Sequence, residues 1–560
     1  MNVDVFQILI TLFGGLALFI YGMNLMSDGL QKVAGEKMER VLGILTKNPI
    51  MGALAGALVT AVLQSSSATT VMVLGFVSAG LMGLPQAISV IFGANIGTTI
   101  TAQLIAFDIG DYAWLFLFIG FVMFFFLKKK EMVMDLGQTI MGFGMLFVGI
   151  NIMGDTMKPL AEAPVFVDLM LQVQDSPVLG VILGTVMTVV VQSSSAVIAV
   201  IQNLAATAGP DGVTSILGLA GAIPILYGSN IGTTITAVLA AIGGSISAKR
   251  TAAAHVIFNL SGTLLFIWFI PAYAKFIEMI SPVGPEVEVI SRQIANAHLV
   301  FNLVATIIWL PLLGILVKVV TKLVKGKDID RLPSEPVFLD MNVLPQPFAA
   351  IMLVKKELSR LAGFANNMIT DSKKAFLGND AELANKVIED EENVDILQEK
   401  IVNYLSALFT NESLTEHQAK EVAGLMHVAT DIEHVGDYCE NIAEYAIVKN
   451  KKKYWFSDEA YAEIYECFDH VTRMMTSSIK ALESGDYKVA LDVKEQEGEM
   501  NLMEARLKKQ HMKRLNEGTC SPEFTVMYND LLHNIEKIGD SCDNIAEAVL
   551  SDVNILAENA

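Results

Sequence analysis

Four consecutive polar residues, Gln64–Ser67 in "TAVLQSSSATT", interrupt a stretch that is otherwise almost wholly apolar, and the same tetrad returns 128 residues later as Gln192–Ser195 in "TVVVQSSSAVI". This duplication constrains the fold first. Pro49–Thr70 aligns without gaps on Pro177–Ile198 at 10 of 22 identical positions, with Gly52, Gly56 and Thr60 recurring as Gly180, Gly184 and Thr188. Downstream, "GANIGTTITAQLIA" (93–106) matches "GSNIGTTITAVLAA" (228–241) at 11 of 14 positions, and "LFIYGMNLMSDGL" (18–30) resembles "LFVGINIMGDTM" (146–157). One unit has been doubled.

The surroundings of the tetrads are membrane-like. "FQILITLFGGLALFIYGMNLM" (6–26), "IMGFGMLFVGINIM" (140–153) and "AHLVFNLVATIIWLPLLGILV" (297–317) are poor enough in charge to cross a bilayer, and the mean hydropathy is +0.49. The first run lacks a basic flank and a small-residue cleavage site, so it reads as a retained span. Residues 1–320 hold 13 Lys+Arg and 16 Asp+Glu, so 17 of the 20 net negative charges fall beyond residue 320. That acidic second half excludes nucleic acid as a partner. The four cysteines (Cys439, Cys467, Cys520, Cys542) also lie there, at spacings unlike a zinc module, and read as free thiols.

Loop charge orients the copies. Residues 29–49 carry Lys32, Lys37, Arg40 and Lys47, whereas their counterpart, 154–176, carries Lys158 alone. The positive-inside bias places the first loop in the cytoplasm and the second outside, which makes the repeats inverted. Tracing the chain from there gives seven spans, 112–127 and 293–318 among them, and two re-entrant hairpins, 50–83 and 177–208, each with a tetrad near its middle. The basic clusters Lys128–Lys130, Lys249–Arg250 and Lys318–Arg331 then share one side. After the Pro-punctuated stretch 331–347 the apolar period becomes helical with no strand alternation. "EHVGDYCENIAEYA" (433–446) matches "EKIGDSCDNIAEAV" (536–549) at 8 of 14 positions, which predicts two tandem three-helix bundles.

In hydrocarbon an unpaired hydroxyl or amide costs several kcal/mol, and irregular backbone survives only where it lines an enclosed cavity. A lone Ser-Ser is structural more often than not. Two Gln-Ser-Ser-Ser tetrads, each in the middle of an inverted hairpin, point instead to a midplane binding region. Hydroxyls and free N–H groups at half-helix N-termini suit a tetrahedral oxyanion, and hydroxyl and amide oxygens suit sodium. With no Lys or Arg facing the tetrads, a bound anion needs a co-bound cation. Asn95, Thr98, Thr99 and Asn230, Thr233, Thr234 in "NIGTT" extend the candidate site; for the threonines, packing through the glycines weighs evenly against a ligand role. Gly52-xxx-Gly56 and Gly180-xxx-Gly184 read as packing devices. No His and no G-x-S-x-G frame activates a serine nucleophile, so an enzyme is excluded. His255 and His298, in "AHVIFN" and "AHLVFN" with Asn259 and Asn302, read first as polar pairs bonded across helices, with a gate or site role as the alternative.

Paired "QSSS" followed by "GANIGTT" and "GSNIGTT" resembles the type II sodium–phosphate cotransporter family over nearly all of residues 1–320. The resemblance implies sodium-driven movement of inorganic phosphate, with Gln64, Ser65, Ser66, Ser67 and Gln192, Ser193, Ser194, Ser195 in the substrate and sodium region. Beyond residue 320, Glu433, Asp437, Glu440, Glu444 and Glu536, Asp540, Asp543, Glu547 each form a stripe spaced i, i+4, i+7, i+11 on one helix. Such stripes are commonly solvated faces, yet their mutual repulsion favours a bound cation. The pattern around them resembles PhoU, a helical-bundle regulator of phosphate uptake whose acidic motifs bind metal. That resemblance makes Glu433, Asp437, Glu440, Glu536, Asp540 and Asp543 candidate ligands of a divalent or trivalent metal. Glu391 and Asp395 are a further pair whose repeat partners, Glu497 and Asn501, lose one carboxylate.

The expected protein is all-α: a polytopic membrane domain (1–320, repeats about 14–127 and 140–271), a linker (321–347) and a PhoU-like helical domain (348–556) in the cytoplasm. The expected activity is sodium-coupled phosphate transport across the inner membrane; the alternative is a membrane-anchored phosphate sensor. Expected partners are phosphate, sodium and lipid, with phosphate-signalling proteins at the tail, and a homodimer is admitted.

Overall fold

A computed structural model describes residues 5–558, apart from 46–47, 79, 108–109, 128–130, 162–163, 210, 243, 327–331, 411–413, 455 and 521. Among the loop charges used above, Lys128–Lys130, Lys327 and Arg331 lie outside the described residues, as do the side chains of Lys37, Arg40, Lys47 and Lys158. The chain forms two compact units, Met1–Asp328 and Ile329–Ala560, and the described residues contain helices and no named strand.

The first unit holds α1 (Val5–Leu45), α2 (Pro49–Leu63), α3 (Ser66–Ser78), α4 (Leu84–Ile105), α5 (Ala113–Phe126), α6 (Glu131–Ala161), α7 (Pro164–Asp175), α8 (Pro177–Val191), α9 (Ser194–Ala205), α10 (Gly218–Ala240), α11 (Ile246–Phe266), α12 (Ile270–Ile280), α13 (Glu286–Trp309) and α14 (Leu313–Leu323). Among the described residues, five stretches are long and apolar enough to cross a membrane: Phe6–Val33, Leu84–Ile105, Met132–Met157, Gly218–Ala240 and Ile246–Ile280. Two of the seven expected spans differ. The segment read as 293–318 is bent by 84° between α13 and α14, where Pro311 can neither donate a helical hydrogen bond nor let the helix continue. The segment read as 112–127 forms α5, only 14 residues long.

Glycines set the helix spacing. A Cβ on Gly93 of α4 would lie 1.8 Å from the Ala53 carbonyl oxygen of α2, and one on Gly56 would lie 2.1 Å from that of Val90. The second copy repeats this contact: Gly228 against Val181 at 2.1 Å and Gly184 against Ile225 at 2.0 Å. Both helix pairs therefore touch backbone to backbone, as the glycine spacing predicts. Each hairpin's second helix then crosses to the other copy. Leu74 of α3 is buried among Ala237, Ala241, Ala248 and Ala252, while Ile198 of α9 packs on Ala102 and Ala295.

The second unit contains α15 (Pro347–Gly378), α16 (Ala381–Phe409), α17 (Glu416–Lys452), α18 (Asp458–Ser484), α19 (Tyr487–Asn516) and α20 (Thr525–Glu558), packed as two three-helix groups. Its core is aliphatic, and Cys439, Cys467 and Cys542 are buried free thiols, with Cys520 partly exposed. Residues 333–338, read as linker, are fastened to this unit. The buried Glu357 carboxylate accepts from the N–H groups of Val337 (2.8 Å) and Phe338 (2.6 Å), and Arg360 bridges that carboxylate to the carbonyls of Pro333 and Glu335.

Candidate functional site

Each tetrad is a helix break with assigned positions. Asn48 and Ser176 cap the first helix of each hairpin, with Pro49 and Pro177 in the first turn where a missing N–H costs nothing. The helices end on Gln64 (φ 54°, ψ 21°) and Gln192 (φ 56°, ψ 21°), both left-handed. Only two other non-glycine residues among those described have positive φ, Asn379 and Lys453, which makes the repeated strain specific to the motif. The next residue caps the second helix: Ser65 Oγ accepts from Ala68 N–H and Ser193 Oγ from Ala196 N–H, both at 3.2 Å. Ser66, Ser67, Ser194 and Ser195 form the first turns of α3 and α9, where backbone N–H groups have no intrahelical acceptor. Their hydroxyls carry no hydrogen bond among the described residues.

The first hairpin folds back on itself. Thr60 and Thr69 are hydrogen-bonded Oγ1 to Oγ1 at 2.9 Å, whereas nine residues of continuous helix would separate them by about 13 Å. Its tip is fastened: Gln64 Oε1 accepts from Thr101 Oγ1 (2.8 Å), its amide donates to Ala61 O, and Ser27 Oγ donates to Leu63 O (2.6 Å). The second tip lacks these ties. Val197 stands where Thr69 does, so the buried Thr188 hydroxyl has no partner, and Gln192 is exposed where Gln64 is buried.

All six "NIGTT" residues are buried. Thr98, Thr99, Thr233 and Thr234 each donate to a carbonyl three or four residues back on their own helix. Asn95 and Asn230 reach across instead, meeting His255 Nε2 (3.3 Å) and His298 Nε2 (3.1 Å) through their Oδ1 atoms. The cross-helix reading of "AHVIFN" and "AHLVFN" matches this geometry.

The two acidic stripes of the tail lie on α17 and α20. Each closes on the preceding helix. Glu433 and Asp437 converge with Glu391 of α16, with ligand-type oxygens within 4.8 Å of one another. Burial first, then Glu440, Asp437, Asp395 and Glu433, push the Glu391 carboxyl up to about 7. Glu536 converges with Glu504 and His533 rather than with Asp540 and Asp543. Asp540 is instead held by Lys537 at 2.5 Å, and that lysine also lies 3.4 Å from Glu536. Asn501, which replaces a carboxylate of the first copy, donates to Glu497 on its own helix.

Some functional-looking contacts escaped the sequence reading. Ser27 and Thr101 bind the tip; both lie in the duplicated segments but outside the tetrads and the "NIGTT" runs. Arg292 of α13 caps the end of α4, donating to Gln103 O, Gln103 Oε1 (2.7 Å) and Ala106 O while lying over Phe107. Gln202 of α9 donates to Ala102 O and Ser291 O, whereas Leu74 stands at its repeat position. A self-comparison that counted differences as well as identities would have found Gln202.

The Na+/Pi-cotransporter family profile matches twice, over residues 18–155 and 149–284, and the PhoU domain profile matches over 358–446 and 464–549. The chain is 35% identical to the uncharacterized protein YqeW of Bacillus subtilis over 320 residues, which is 57% of this chain and 99% of that one. It is 23% identical over 97% of both chains to a protein of Salmonella typhimurium named putative inorganic phosphate export protein YjbB. Over 106 residues (18% of this chain and 15% of the other) it is 38% identical to human sodium-dependent phosphate transport protein 2B. The chain belongs to the Na+/Pi-cotransporter family and carries a PhoU tail: a multi-pass, all-α membrane protein of a phosphate-transporter family, not of an enzyme family.

Proposed function

We propose that this protein moves inorganic phosphate across the cytoplasmic membrane together with sodium, through a site made by Gln64–Ser67 and Gln192–Ser195 with Asn95, Thr98, Thr99, Asn230, Thr233 and Thr234. The observation that carries this reading is the pair of left-handed glutamines. A helix broken by the same backbone conformation in both copies leaves two fresh N-termini lined with serine, which suit an oxyanion. The unengaged serine hydroxyls add donors for phosphate and oxygens for sodium. Sodium coupling is supported by the name of the human relative and phosphate movement by that of the Salmonella one; net direction follows from the two ion gradients. An inward sodium gradient should drive labelled phosphate into proteoliposomes above its equilibrium level. Phosphate that binds and never accumulates would favour a sensor.

In this reading the repeats are inverted and the tail is cytoplasmic. Single cysteines at Lys37 and Asp168, introduced after the four native ones are replaced, should label from opposite faces. A third at the exposed Glu444 should label with Lys37. Labelling of Lys37 and Asp168 from one face would make the repeats parallel and remove the midplane site.

The tail acts as a regulator, and Glu391, Glu433 and Asp437, an all-oxygen set, fit a hard divalent or trivalent cation. Lys537 already supplies a cation beside Glu536 and Asp540, so the first copy is the stronger site. Because the Glu391 carboxyl is raised to about 7, the folded metal-free tail binds more protons than the unfolded chain between its ordinary value and 7. Its stability therefore falls as pH rises across that window. A metal replaces the proton, so its stabilising effect should grow as pH rises through 7 and with free metal concentration. Calorimetry of residues 329–560 with manganese at pH 6 and pH 8 checks this, and Glu391→Gln should flatten both dependences. Equal melting temperatures with and without metal at pH 8 would reduce the stripes to solvated faces.

A further inference from the structure

The duplicated "AHVIFN" and "AHLVFN" segments stand outside the tetrads, yet both reach the "NIGTT" asparagines. Their hydrogen bonds can be oriented from one fixed point. The His255 carbonyl can only accept, so Asn259, which meets it at 3.1 Å, must turn its Nδ2 toward it. Asn259 Oδ1 is then the atom that faces Asn95, and it takes the Asn95 Nδ2–H at 3.3 Å. Asn95 Oδ1 is left for His255, whose Nε2 must carry the proton. One backbone carbonyl thus determines both amides and the imidazole tautomer.

The second copy begins the same way and stops halfway. Asn302 Nδ2 meets the His298 carbonyl at 2.9 Å, and His298 Nε2 meets Asn230 Oδ1 at 3.1 Å. The bond equivalent to Asn95–Asn259 is missing: Asn230 Nδ2 and Asn302 Oδ1 are both buried and both without a partner. Asn302 and His298 are wholly enclosed and Asn230 is 6% exposed, so bulk water does not satisfy them. A buried orphan donor and a buried orphan acceptor each cost free energy until something satisfies them.

We propose that His255 with Asn259 and His298 with Asn302 are positioning residues for transport, and that Asn230 Nδ2 and Asn302 Oδ1 form an open donor–acceptor pair for the hydrogen phosphate anion. That ligand both accepts, through P–O, and donates, through P–OH, which is what the pair requires; a single bridging water offers the same chemistry. The first copy, with its pair closed, holds Asn95 in place. This inference rests on the phosphate-transport reading above.

Phosphate uptake by proteoliposomes tests it, with half-saturating phosphate and maximal rate read separately. Asn302→Ala deletes the orphan acceptor and otherwise only a bond to its own helix. It should raise half-saturating phosphate about tenfold or more, as loss of a hydrogen bond to a charged ligand does. His298→Leu should raise it similarly, and His298→Gln, which keeps an N–H for Asn230, should recover most of the loss. A bridging water predicts a different result: unchanged half-saturation in Asn302→Ala, which overturns the proposal. So does an equal effect of Leu and Gln at His298, the mark of a merely structural imidazole. If His298→Leu fails to fold, Asn302→Ala and His298→Gln decide alone. Failure of the wild-type protein to take up phosphate would instead overturn the transport reading itself.

Discussion

Gln192→Gly should lose phosphate transport by about 100-fold or more while the protein remains folded, and Gln64→Gly should do the same. Glycine is the discriminating replacement because both glutamines occupy left-handed backbone. Leucine there would remove the amide and still bear the roughly 1–2 kcal/mol of left-handed strain that glutamine already carries, so its failure would have two explanations, lost chemistry or a relaxed turn. Glycine adopts the conformation freely, so it removes the amide without driving the turn to relax. Asparagine tolerates the left-handed region and keeps a shorter amide, so Gln192→Asn should retain part of the activity. Thr188→Val is the matching control: the hydroxyl is buried and unpartnered, and Val197 already replaces the residue it would meet, so rate and stability should hold. Thr60→Val, by contrast, breaks the bond to Thr69 and should cost about 1 kcal/mol. Near-normal transport by both glycine variants would reduce the glutamines to helix caps.

Gly93→Ala and Gly228→Ala should each destabilise the membrane unit by about 3 kcal/mol or more. The added methyl would stand 1.8 Å and 2.1 Å from the Ala53 and Val181 carbonyl oxygens, and neither oxygen can move without its helix. Separating the helices would also displace the hairpins, since α2 and α8 lead directly into the tetrads. Gly14→Ala and Gly314→Ala are the controls, because a Cβ there meets nothing within 4 Å, and helix propensity alone favours alanine. Thermal unfolding of the purified variants, followed by loss of the monodisperse species, should separate the two pairs clearly. Equal melting curves for all four would mean that the close approach does not govern stability.

The tetrads and glycine pairs were legible because both violate what a membrane interior ordinarily accepts, and both do so twice. A polar run costs free energy and a Gly-xxx-Gly stripe forfeits side-chain packing, so repetition marks purpose. The conformation of Gln64 and Gln192 was not legible, since left-handed helix ends usually fall on Gly or Asn. Pro311 was in plain view, yet the apolar run around it is long enough to read as one straight span. In the tail, spacing placed four carboxylates on one helix face but could not say which helix that face meets. That depends on packing, and it turned Glu433 toward Glu391 and gave Asp540 to Lys537. The Ser27 bond to the Leu63 carbonyl leaves no trace in sequence, because any residue supplies a carbonyl.

Coupling is the central claim, and it has a direct test. Proteoliposomes are loaded with phosphate and placed in phosphate-free buffer, with equal sodium on both sides and the membrane potential clamped. If one site carries both ions, phosphate leaving down its own gradient must draw labelled sodium out with it, against no sodium gradient at all. The expected result is net sodium efflux that tracks phosphate efflux in time, saturates with internal phosphate and disappears in Gln192→Gly. Phosphate efflux of normal rate with no accompanying sodium movement would contradict the account.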